Sequence, residues 1–282
     1  MTESHNFPEL LRQHGITPKK SLGQNFLFDD NIINSIVDLA GITPETTVLE
    51  IGAGPGNLTR TLAARANRVV AVELDQRFLP LLKLAGSQYP NLEIIHGNVL
   101  KLDLDQIMGK QGYVVVANLP YYITSAVIRQ LLETRLKPAR LVLTVQKEVA
   151  ARICAKAGEM SLLSVSVQIF GKPCLAAHIP AGAFYPPPKV DSSVILIDTH
   201  AQPLIPVEQL AVFFQLVKAG FSQKRKMLRN TLSAGMRLSI PECEQLLCAG
   251  GIDPARRAQT LELGEWATLT GIYISQNLNS DA

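Results

Sequence analysis

Cysteine is scarce in this sequence, and the few cysteines follow no pattern that would give them a special role. The four of them, Cys154, Cys174, Cys243 and Cys248, form no CxxC pair and no cluster with histidine at zinc-ligand spacing. Metal sites and disulfide frameworks both need such grouped cysteines. We therefore expect no metal and no disulfide framework, and we expect reduced thiols that are mostly buried.

Long apolar runs are also missing. No stretch approaches the length that a membrane span requires. The first residues, MTESHNFPELLRQHG, are acidic and polar where a signal peptide would have a basic start and an apolar centre. We expect a cytoplasmic protein with no membrane partner.

Charge is the third shortage, since only 18% of the residues are charged and the formal net charge is +3. Bulk charge therefore does not indicate a nucleic-acid-binding protein, and any such signal must be local. At 282 residues and 47% hydrophobic, the chain can form a large domain with an ample core and a smaller second one.

What the sequence does contain is a regular alternation of short apolar runs with helical patterns. The apolar runs TVLEI, RVVAVEL, LEIIHG, YVVVAN and ARLVLTVQ alternate with the helical patterns NLTRTLAARA and QRFLPLLKLAG, and with patterns near 124–136 and 147–157. Strands that alternate with helices imply right-handed crossovers and a parallel sheet. The pattern predicts an α/β fold with a doubly wound, mostly parallel sheet of about seven strands.

The alternation changes in the second half of the chain. Residues 161–170, SLLSVSVQIF, fit either a strand or a helix. PCLAAHI and SSVILID, separated by the proline-rich FYPPPKVD, predict two closing strands in an antiparallel hairpin at the sheet edge. Later segments such as VEQLAVFFQLVKAGF and PECEQLLCAGG predict helices. We expect one domain over 1–203 and a small helical domain over 204–282.

The segment LEIGAGPGNLT (49–59) ends a strand and opens a helix, with glycines at 52, 54 and 56. Glycine allows positive φ and removes the Cβ that would block the close approach of a ligand. Glu73 ends the next strand about 20 residues further on, where an acidic side chain can accept both hydroxyls of a ribose. This arrangement favours a nucleoside-containing cofactor over a structural turn. The absence of a clear third glycine at dinucleotide spacing favours a cofactor other than NAD.

Two asparagines follow the next strands. Asn98, with Val99 beside it, ends the third strand, where an amide can bond a flat heterocycle and an apolar side chain can pack on its face. Asn118 ends the fourth strand and begins NLPYYITS, at the sheet edge where ligands bind in open α/β folds. Asparagine and proline are also common turn residues, so a simple turn remains the alternative at both positions.

These two motifs together resemble the S-adenosylmethionine-dependent adenine amino methyltransferases. Four further segments, KKSLGQNFL, VQKEVAARI, FYPPPKVDSSV and FSQKRKMLRNTL, are similar to the KsgA-type dimethyltransferases of small-subunit ribosomal RNA. The matching segments occur in order over residues 19–232. The Erm methyltransferases, which act on large-subunit ribosomal RNA, share several of them.

The resemblance implies a site for S-adenosylmethionine, with S-adenosylhomocysteine as the product. Relatives commonly carry Asp at position 98, so Asn98 is a departure that should weaken discrimination without abolishing binding. The implied cofactor residues are Gln24, Asn25 and Leu27 as a cover, Gly52 and Gly54 near the methionine moiety, Glu73 at the ribose, Asn98 and Val99 at the adenine, and Asn118.

The motif NLPY suits the chemistry of an adenine amine, whose lone pair is delocalised into the ring. Hydrogen bonds from the amine to the Asn118 carboxamide oxygen and the Leu119 carbonyl would draw the nitrogen toward tetrahedral geometry. Pro120 would stiffen the turn, and Tyr121 would offer a face for base stacking. The resemblance implies Phe184 as the second face.

RNA binding must come from a local basic patch. A helix through QKRKMLRNTL would turn Met227, Leu228, Thr231 and Leu232 to the core and its cations outward, although most basic stretches are only solvated faces. The resemblance places this segment in the domain expected to bind RNA. The predicted RNA-binding residues are Lys224, Arg225, Lys226 and Arg229.

The resemblance implies a monomeric enzyme that dimethylates two adjacent adenosines in a hairpin near the 3′ end of 16S ribosomal RNA, within the small ribosomal subunit or its precursor. By the same resemblance the first domain binds the cofactor and catalyses transfer, and the helical domain binds RNA. The alternatives are an Erm-type enzyme and a non-catalytic ribosome-assembly factor on a methyltransferase scaffold.

Overall fold

The computed structural model describes residues 7–120 and 122–278, without the side chains of 277 and 278. The described chain divides into two compact units. The first contains the residues up to Ala150 together with Pro173–Thr199, and the second contains Ala151–Lys172 together with the residues from His200 onward.

The helices are α1 (Phe7–Gln13), α2 (Asp30–Ala40), α3 (Asn57–Ala63), α4 (Leu79–Gly86), α5 (Leu104–Met108), α6 (Thr124–Glu133), α7 (Lys147–Ile153), α8 (Leu162–Gln168), α9 (Leu210–Gly220), α10 (Leu228–Met236), α11 (Ile240–Ala249) and α12 (Leu263–Leu278). The strands are β1 (Phe26–Leu27), β2 (Thr47–Ile51), β3 (Arg68–Glu73), β4 (Leu92–His96), β5 (Val114–Asn118), β6 (Arg140–Gln146), β7 (Gly171–Ile179), β8 (Phe184–Tyr185) and β9 (Ser192–Thr199).

Seven of these strands form one sheet in the order β4-β3-β2-β5-β6-β9-β7. The first five pair in parallel, and β9 runs antiparallel to β6. The predicted doubly wound, mostly parallel sheet with two closing strands at its edge is confirmed. The strand order reverses between β2 and β5, and this switch point is where ligands bind in such sheets.

The central strands are apolar because crossover helices cover both faces of a parallel sheet. All five residues of β2 are buried, and so are all residues of β3 after Arg68. Glu50 is the one charged residue inside β2, and it is 1% exposed. Helix α2 packs against this core with Ile33, Ile36 and Val37.

The second unit has its own core. Trp266 of α12 is fully buried, and its ring lies 5.8 Å from that of Phe221, between centroids. Gly220, at the end of α9, leaves room for this indole, because a Cβ there would stand 2.5 Å from a Trp266 ring atom. The predicted helices of the C-terminal region are confirmed as α9 to α12.

The segment whose period was ambiguous, residues 161–170, is largely helical. Ser161 caps α8, because its hydroxyl accepts from the Ser164 amide and the Ser164 hydroxyl accepts from the Ser161 amide. This reciprocal pair satisfies two donors that a helix start otherwise leaves without partners. The local capping chemistry therefore favours the helix over the strand.

Two expectations are wrong. The helix through QKRKMLRNTL begins only at Leu228, and residues 223–227 form a turn in which Met227 is 40% exposed. The Lys226 amide donates to the Gln223 carbonyl at 3.0 Å and closes this turn before the helix begins. The cysteines are not mostly buried either: Cys243 is buried, whereas Cys174 and Cys248 are exposed.

Among the described residues, no helix is long and apolar enough to cross a membrane. Over the same residues, no group of three or more histidine, cysteine, aspartate or glutamate side chains could hold a metal ion.

Candidate active site

A cleft lies in the first unit, at the carboxyl ends of β2, β3, β4 and β5. It contains most of the residues predicted from the sequence for the cofactor and for catalysis. Those that line it are Gln24, Asn25, Gly52, Glu73, Asn98, Val99, Asn118, Leu119, Pro120 and Phe184.

The glycine turn orients the acidic side chain at the end of β3. The Gly54 amide donates to Glu73 Oε2 at 2.7 Å, and the Asp75 amide donates to Oε1 at 2.7 Å. Burial raises the pKa of Glu73, and these two hydrogen bonds oppose that rise. Each oxygen of a carboxylate keeps further lone pairs, so an oriented Glu73 can still accept two ribose hydroxyls.

The turn can come close to a ligand because its glycines have backbone angles that other residues rarely adopt. Gly52 and Gly54 have φ of 78° and 56°. A Cβ at Gly54 would stand 3.0 Å from the Phe26 ring, so this glycine also makes room for the cover of the cleft. Gly54 does not line the cleft itself, and its contribution is the amide that holds Glu73.

Asn98 and Val99 lie beside Glu73 at the end of β4. The Gly97 amide donates to the Glu73 carbonyl at 2.9 Å, and Val99 is buried against the cleft. The Asn98 carboxamide oxygen accepts from the Leu100 amide at 3.0 Å. That oxygen therefore caps the following turn, and the amide nitrogen is the other polar atom of the side chain.

We expect Asn98→Asp to preserve or tighten the affinity for S-adenosylmethionine. An aspartate can cap the turn with one oxygen and offer the second to the adenine amine, which an asparagine cannot do. Titration calorimetry with S-adenosylhomocysteine measures the effect. An affinity loss greater than about tenfold, roughly 1.4 kcal/mol, would contradict the assignment of Asn98 to the adenine.

The motif NLPY follows β5 and is held by several hydrogen bonds. The side-chain nitrogen Nδ2 of Asn118 donates to the Asn25 backbone carbonyl at 2.9 Å, and the Leu119 backbone amide donates to the Thr144 carbonyl at 3.2 Å. The Pro120 carbonyl accepts from the Ile123 amide at 3.2 Å as α6 begins. Tyr121, predicted as a stacking face, lies outside the described residues.

Phe184 and the cover of the cleft are joined by a two-residue antiparallel ladder. Strand β1 pairs with β8, with Phe26 opposite Tyr185 and Leu27 opposite Phe184. Phe26 and Phe184 line the cleft, whereas Leu27 belongs to the core and does not line it. Within this strand Phe26 borders the cleft in place of the predicted Leu27.

Sequence reasoning missed several other residues of the cleft. Tyr122 lies at the rim of the cleft and is 60% exposed. It belongs to the motif NLPYYITS, so this second tyrosine could have been predicted as a cleft residue. The others are apolar or glycine and carry no chemical signature in the sequence. The residues missed are Leu22, Gly23, Phe26, Ile51, Val72, Leu74, Gly97, Tyr122 and Ile123.

Glu50 is a buried carboxyl under the glycine turn. Burial raises its pKa from 4.5 to about 8, with a further contribution from the charge of Glu73. Its Oε2 atom has no hydrogen-bond partner among the described residues. The neutral form of Glu50 is therefore favoured, because a charged carboxylate would be poorly solvated at this position.

We expect Glu50→Gln to remove part of the pH dependence of stability. The folded pKa of about 8 exceeds the unfolded value of 4.5, so this carboxyl stabilises the fold fully below 4.5 and that contribution is lost as pH rises toward 8. Urea unfolding of both proteins at pH 5, 7 and 9 tests this. The free-energy difference between variant and wild type should shift in favour of the variant as pH rises, and a constant difference would contradict the assignment.

The predicted RNA-binding residues lie in the second unit. Lys224, Arg225 and Lys226 are exposed in the turn before α10. Arg229 is instead half-buried, and its guanidinium donates to the Glu244 carboxylate at 2.8 Å. Its charge is therefore already paired inside the unit.

The cleft fits S-adenosylmethionine in its chemistry. Glu73 is fixed as an acceptor for ribose hydroxyls, Val99 offers an apolar wall, and a Cβ at Gly52 would have only the Asn118 carbonyl within 4 Å, at 3.6 Å. The backbone at Gly52 is thus open to a ligand.

Comparison with known proteins agrees with this chemistry. A family model described as "Ribosomal RNA adenine dimethylase" matches residues 15–274. A Dehalococcoides mccartyi protein named Ribosomal RNA small subunit methyltransferase A is 45% identical over 262 residues, which cover 93% of this chain and 90% of that protein. A Geobacillus thermodenitrificans protein of the same name is 44% identical and covers 93% of each chain.

Solved structures show the same fold over most of the chain. A dimethyladenosine transferase from Plasmodium falciparum aligns with a TM-score of 0.78 and 25% identity, covering 89% of this chain and 98% of that one. The 23S rRNA methyltransferase ErmE aligns with a TM-score of 0.72 and 27% identity, covering 88% and 99%. The chain belongs to the ribosomal RNA adenine dimethylase family, whose enzymes take methyl groups from S-adenosylmethionine.

Proposed function

We propose that this protein acts in the cytoplasm as a monomer and dimethylates two adjacent adenosines in a hairpin near the 3′ end of 16S ribosomal RNA, in the small subunit or its precursor. The observation that carries the proposal is the position of Asn118 in the cleft, with its amide nitrogen bonded to the Asn25 carbonyl. The names of the relatives support the small subunit as the source of the RNA.

Cofactor binding is assigned to the glycine turn, Glu73 and the pair Asn98–Val99. When bound, S-adenosylmethionine supplies an electrophilic methyl group on a sulfonium. The protein's part is to present the adenine amine, and Asn118 and the Leu119 carbonyl serve as its acceptors. Each hydrogen bond that the amine donates draws one of its hydrogens out of the ring plane and makes the nitrogen lone pair more available. Holding the amine beside the methyl group also lowers the activation barrier of the transfer.

The target base needs stacking partners once it leaves its own stack. Phe184 is buried at the cleft and supplies one wall, and Tyr121 is proposed as the other. A single-stranded loop suits this pocket, because its bases can be turned out at a cost of only a few kcal/mol.

RNA affinity is assigned to the second unit, through the exposed cations Lys224, Arg225 and Lys226. Cations that neutralise phosphates release counterions, so such binding weakens steeply as salt increases. Arg229 is a weaker candidate than its neighbours because Glu244 already pairs with it.

We expect the double charge reversal Lys224→Glu, Arg225→Glu to weaken binding to small subunits and to flatten its salt dependence. Losing two phosphate contacts reduces the slope of log K against log salt by about 1.8 for a duplex and about 1.4 for single strands. Filter binding from 50 to 200 mM salt measures the slope. The control reverses Lys83, an exposed lysine of α4 in the first unit, together with Lys101; equal losses in both variants would leave the turn without a specific role.

Nucleoside mass spectrometry tests the reaction and its substrate together. The protein and S-adenosylmethionine are incubated with small subunits that lack adenine dimethylation, with large-subunit RNA in parallel. Dimethyladenosine in the small subunit alone is the expected result. Product in the large-subunit RNA alone would indicate an Erm-type enzyme, and no product with intact cofactor binding would indicate a non-catalytic assembly factor.

A further inference from the structure

We propose that Arg77 and Asp75 form a latch with Gln24, which holds residues 17–25, here named the strap, over the cofactor cleft. In this role Asp75 and Arg77 are positioning residues for the cofactor. The inference concerns the same cleft as the proposed function and rests on that function for the identity of the cofactor.

The strap borders the cleft but has little backbone pairing to keep it there. It lines the cleft with Leu22, Gly23, Gln24 and Asn25. Its backbone bonds close local turns, such as Leu22 amide to Lys19 carbonyl at 3.1 Å and Gly23 amide to Lys20 carbonyl at 3.0 Å. Local turns fix the shape of a segment, whereas its position depends on contacts with residues outside it.

Three side-chain bonds supply that attachment among the described residues. Asn118 donates to the Asn25 carbonyl at 2.9 Å. Arg77 Nη1 donates to the Thr17 carbonyl at 3.0 Å, and Gln24 Nε2 donates to Asp75 Oδ2 at 2.9 Å. The last two belong to the latch and hold both ends of the strap.

The contacts of Asp75 suit it to hold the strap in place rather than to bind the cofactor. Its side chain is 4% exposed, and its oxygens accept from Arg77 Nε at 2.9 Å, from Arg77 Nη2 at 2.6 Å and from Gln24. The Arg77 guanidinium holds the pKa of Asp75 well below its usual range, so this carboxylate is charged. Charge-assisted bonds of this kind are about twice as strong as neutral ones.

The same residue links the strap to the ribose acid. The Asp75 amide donates to Glu73 Oε1 at 2.7 Å, while its carboxylate holds Gln24. Gln24 in turn accepts from the Lys19 amide at 2.7 Å, which closes the strap on itself. A change at Asp75 therefore reaches both the ribose acceptor and the cover of the cleft.

Arg77 suits the latch because of its planar fork. It bonds Asp75 through Nε and Nη2 while Nη1 reaches the Thr17 carbonyl. A lysine has one point charge and cannot reproduce this set of directions. Arg77→Lys should therefore behave much like Arg77→Met, although it keeps the charge.

The chain offers a control arginine away from the cleft. Arg68, at the start of β3, makes an ion pair to the half-exposed Glu93 at 2.7 Å and carbonyl bonds to Ile107 at 3.1 Å and Met108 at 3.5 Å. It does not line the cleft or contact the strap in the described structure. Arg68→Met therefore removes an arginine with an ion pair and carbonyl bonds, and it leaves the cleft and the strap unchanged.

The test measures S-adenosylhomocysteine binding by titration calorimetry for Arg77→Met, Arg77→Lys, Gln24→Leu, Arg77→Met with Gln24→Leu, and Arg68→Met. We expect the dissociation constant to rise about tenfold for Arg77→Met and to stay within twofold for Arg68→Met. The double variant should lose less than the product of the single losses, because both act on one latch. Amide hydrogen exchange should accelerate in residues 17–25 and not in β2.

Steady-state kinetics with small subunits separates positioning from chemistry. The KM for S-adenosylmethionine should rise about tenfold in Arg77→Met, with kcat within about twofold of wild type. Unchanged binding in both Arg77→Met and Gln24→Leu, or an equal loss in Arg68→Met, would overturn the latch. If the variants show the expected binding losses but no methylated RNA forms, the proposed function is overturned and the latch is retained. If the wild-type protein does not bind S-adenosylhomocysteine, both are overturned.

Discussion

Asn118→Ala is expected to reduce the rate of methyl transfer by at least about 10³-fold while S-adenosylhomocysteine still binds. An acceptor that acts on the reacting group contributes to the transition state, and removing one preorganised group of this kind costs about 10²–10³-fold or more. The alanine also loses the bond to the Asn25 carbonyl. One neutral hydrogen bond contributes about 0.5–1.5 kcal/mol, so the cofactor affinity should fall by about two- to tenfold.

Single-turnover methylation of small subunits at saturating cofactor measures the chemical step, and calorimetry measures binding. Asn34→Ala is a suitable control, since Asn34 lies on the exposed side of α2 and bonds the Asp30 carbonyl. It should leave both quantities unchanged. A near wild-type rate in Asn118→Ala would refute the positioning mechanism.

Glu73→Ala is expected to raise the dissociation constant for S-adenosylhomocysteine by at least about 100-fold, roughly 2.7 kcal/mol. The substitution removes the proposed ribose acceptor and leaves the Gly54 and Asp75 amides without their partner in a buried place. Unpaired buried donors cost about 1–3 kcal/mol each, so the glycine turn should also lose its fixed shape.

Glu73→Gln tests whether the affinity for the cofactor depends on the charge of the Glu73 side chain or only on its shape. Glutamine keeps one acceptor oxygen, but its NH₂ group must face one of the two backbone donors, so we expect only partial recovery of affinity. Glu93→Gln is the control, because Glu93 lies on the neighbouring strand β4 with its side chain half exposed. A Glu73→Ala protein that binds within tenfold of wild type would remove the ribose assignment.

The sequence predicted the sheet because its apolar runs are short and are separated by helical patterns. The glycines of LEIGAGPG and the acid at Glu73 are brought together by the parallel pairing of β2 with β3. Asn118 lies at the same edge because β5 pairs with β2 on its other side. A regular topology therefore lets spacing along the chain predict proximity in space.

The structure differs from the sequence predictions at positions that the topology of the sheet does not determine. Phe26 borders the cleft in place of the predicted Leu27, because the local packing of a two-residue strand is not specified by spacing along the chain. The start of α10 at Leu228 follows a local turn, closed by the Lys226 amide and the Gln223 carbonyl, which apolar spacing does not predict. Asp75 and Arg77 gave no signal, because an ion pair between residues two apart looks like an ordinary polar turn in the sequence.

The short ladder between β1 and β8 joins the backbones of the two segments that carry Phe26 and Phe184. Phe26 continues from the strap, and Phe184 stands on the opposite strand of the ladder. Backbone pairing ties these two segments together, so we expect a displacement of Phe26 to be accompanied by a displacement of Phe184.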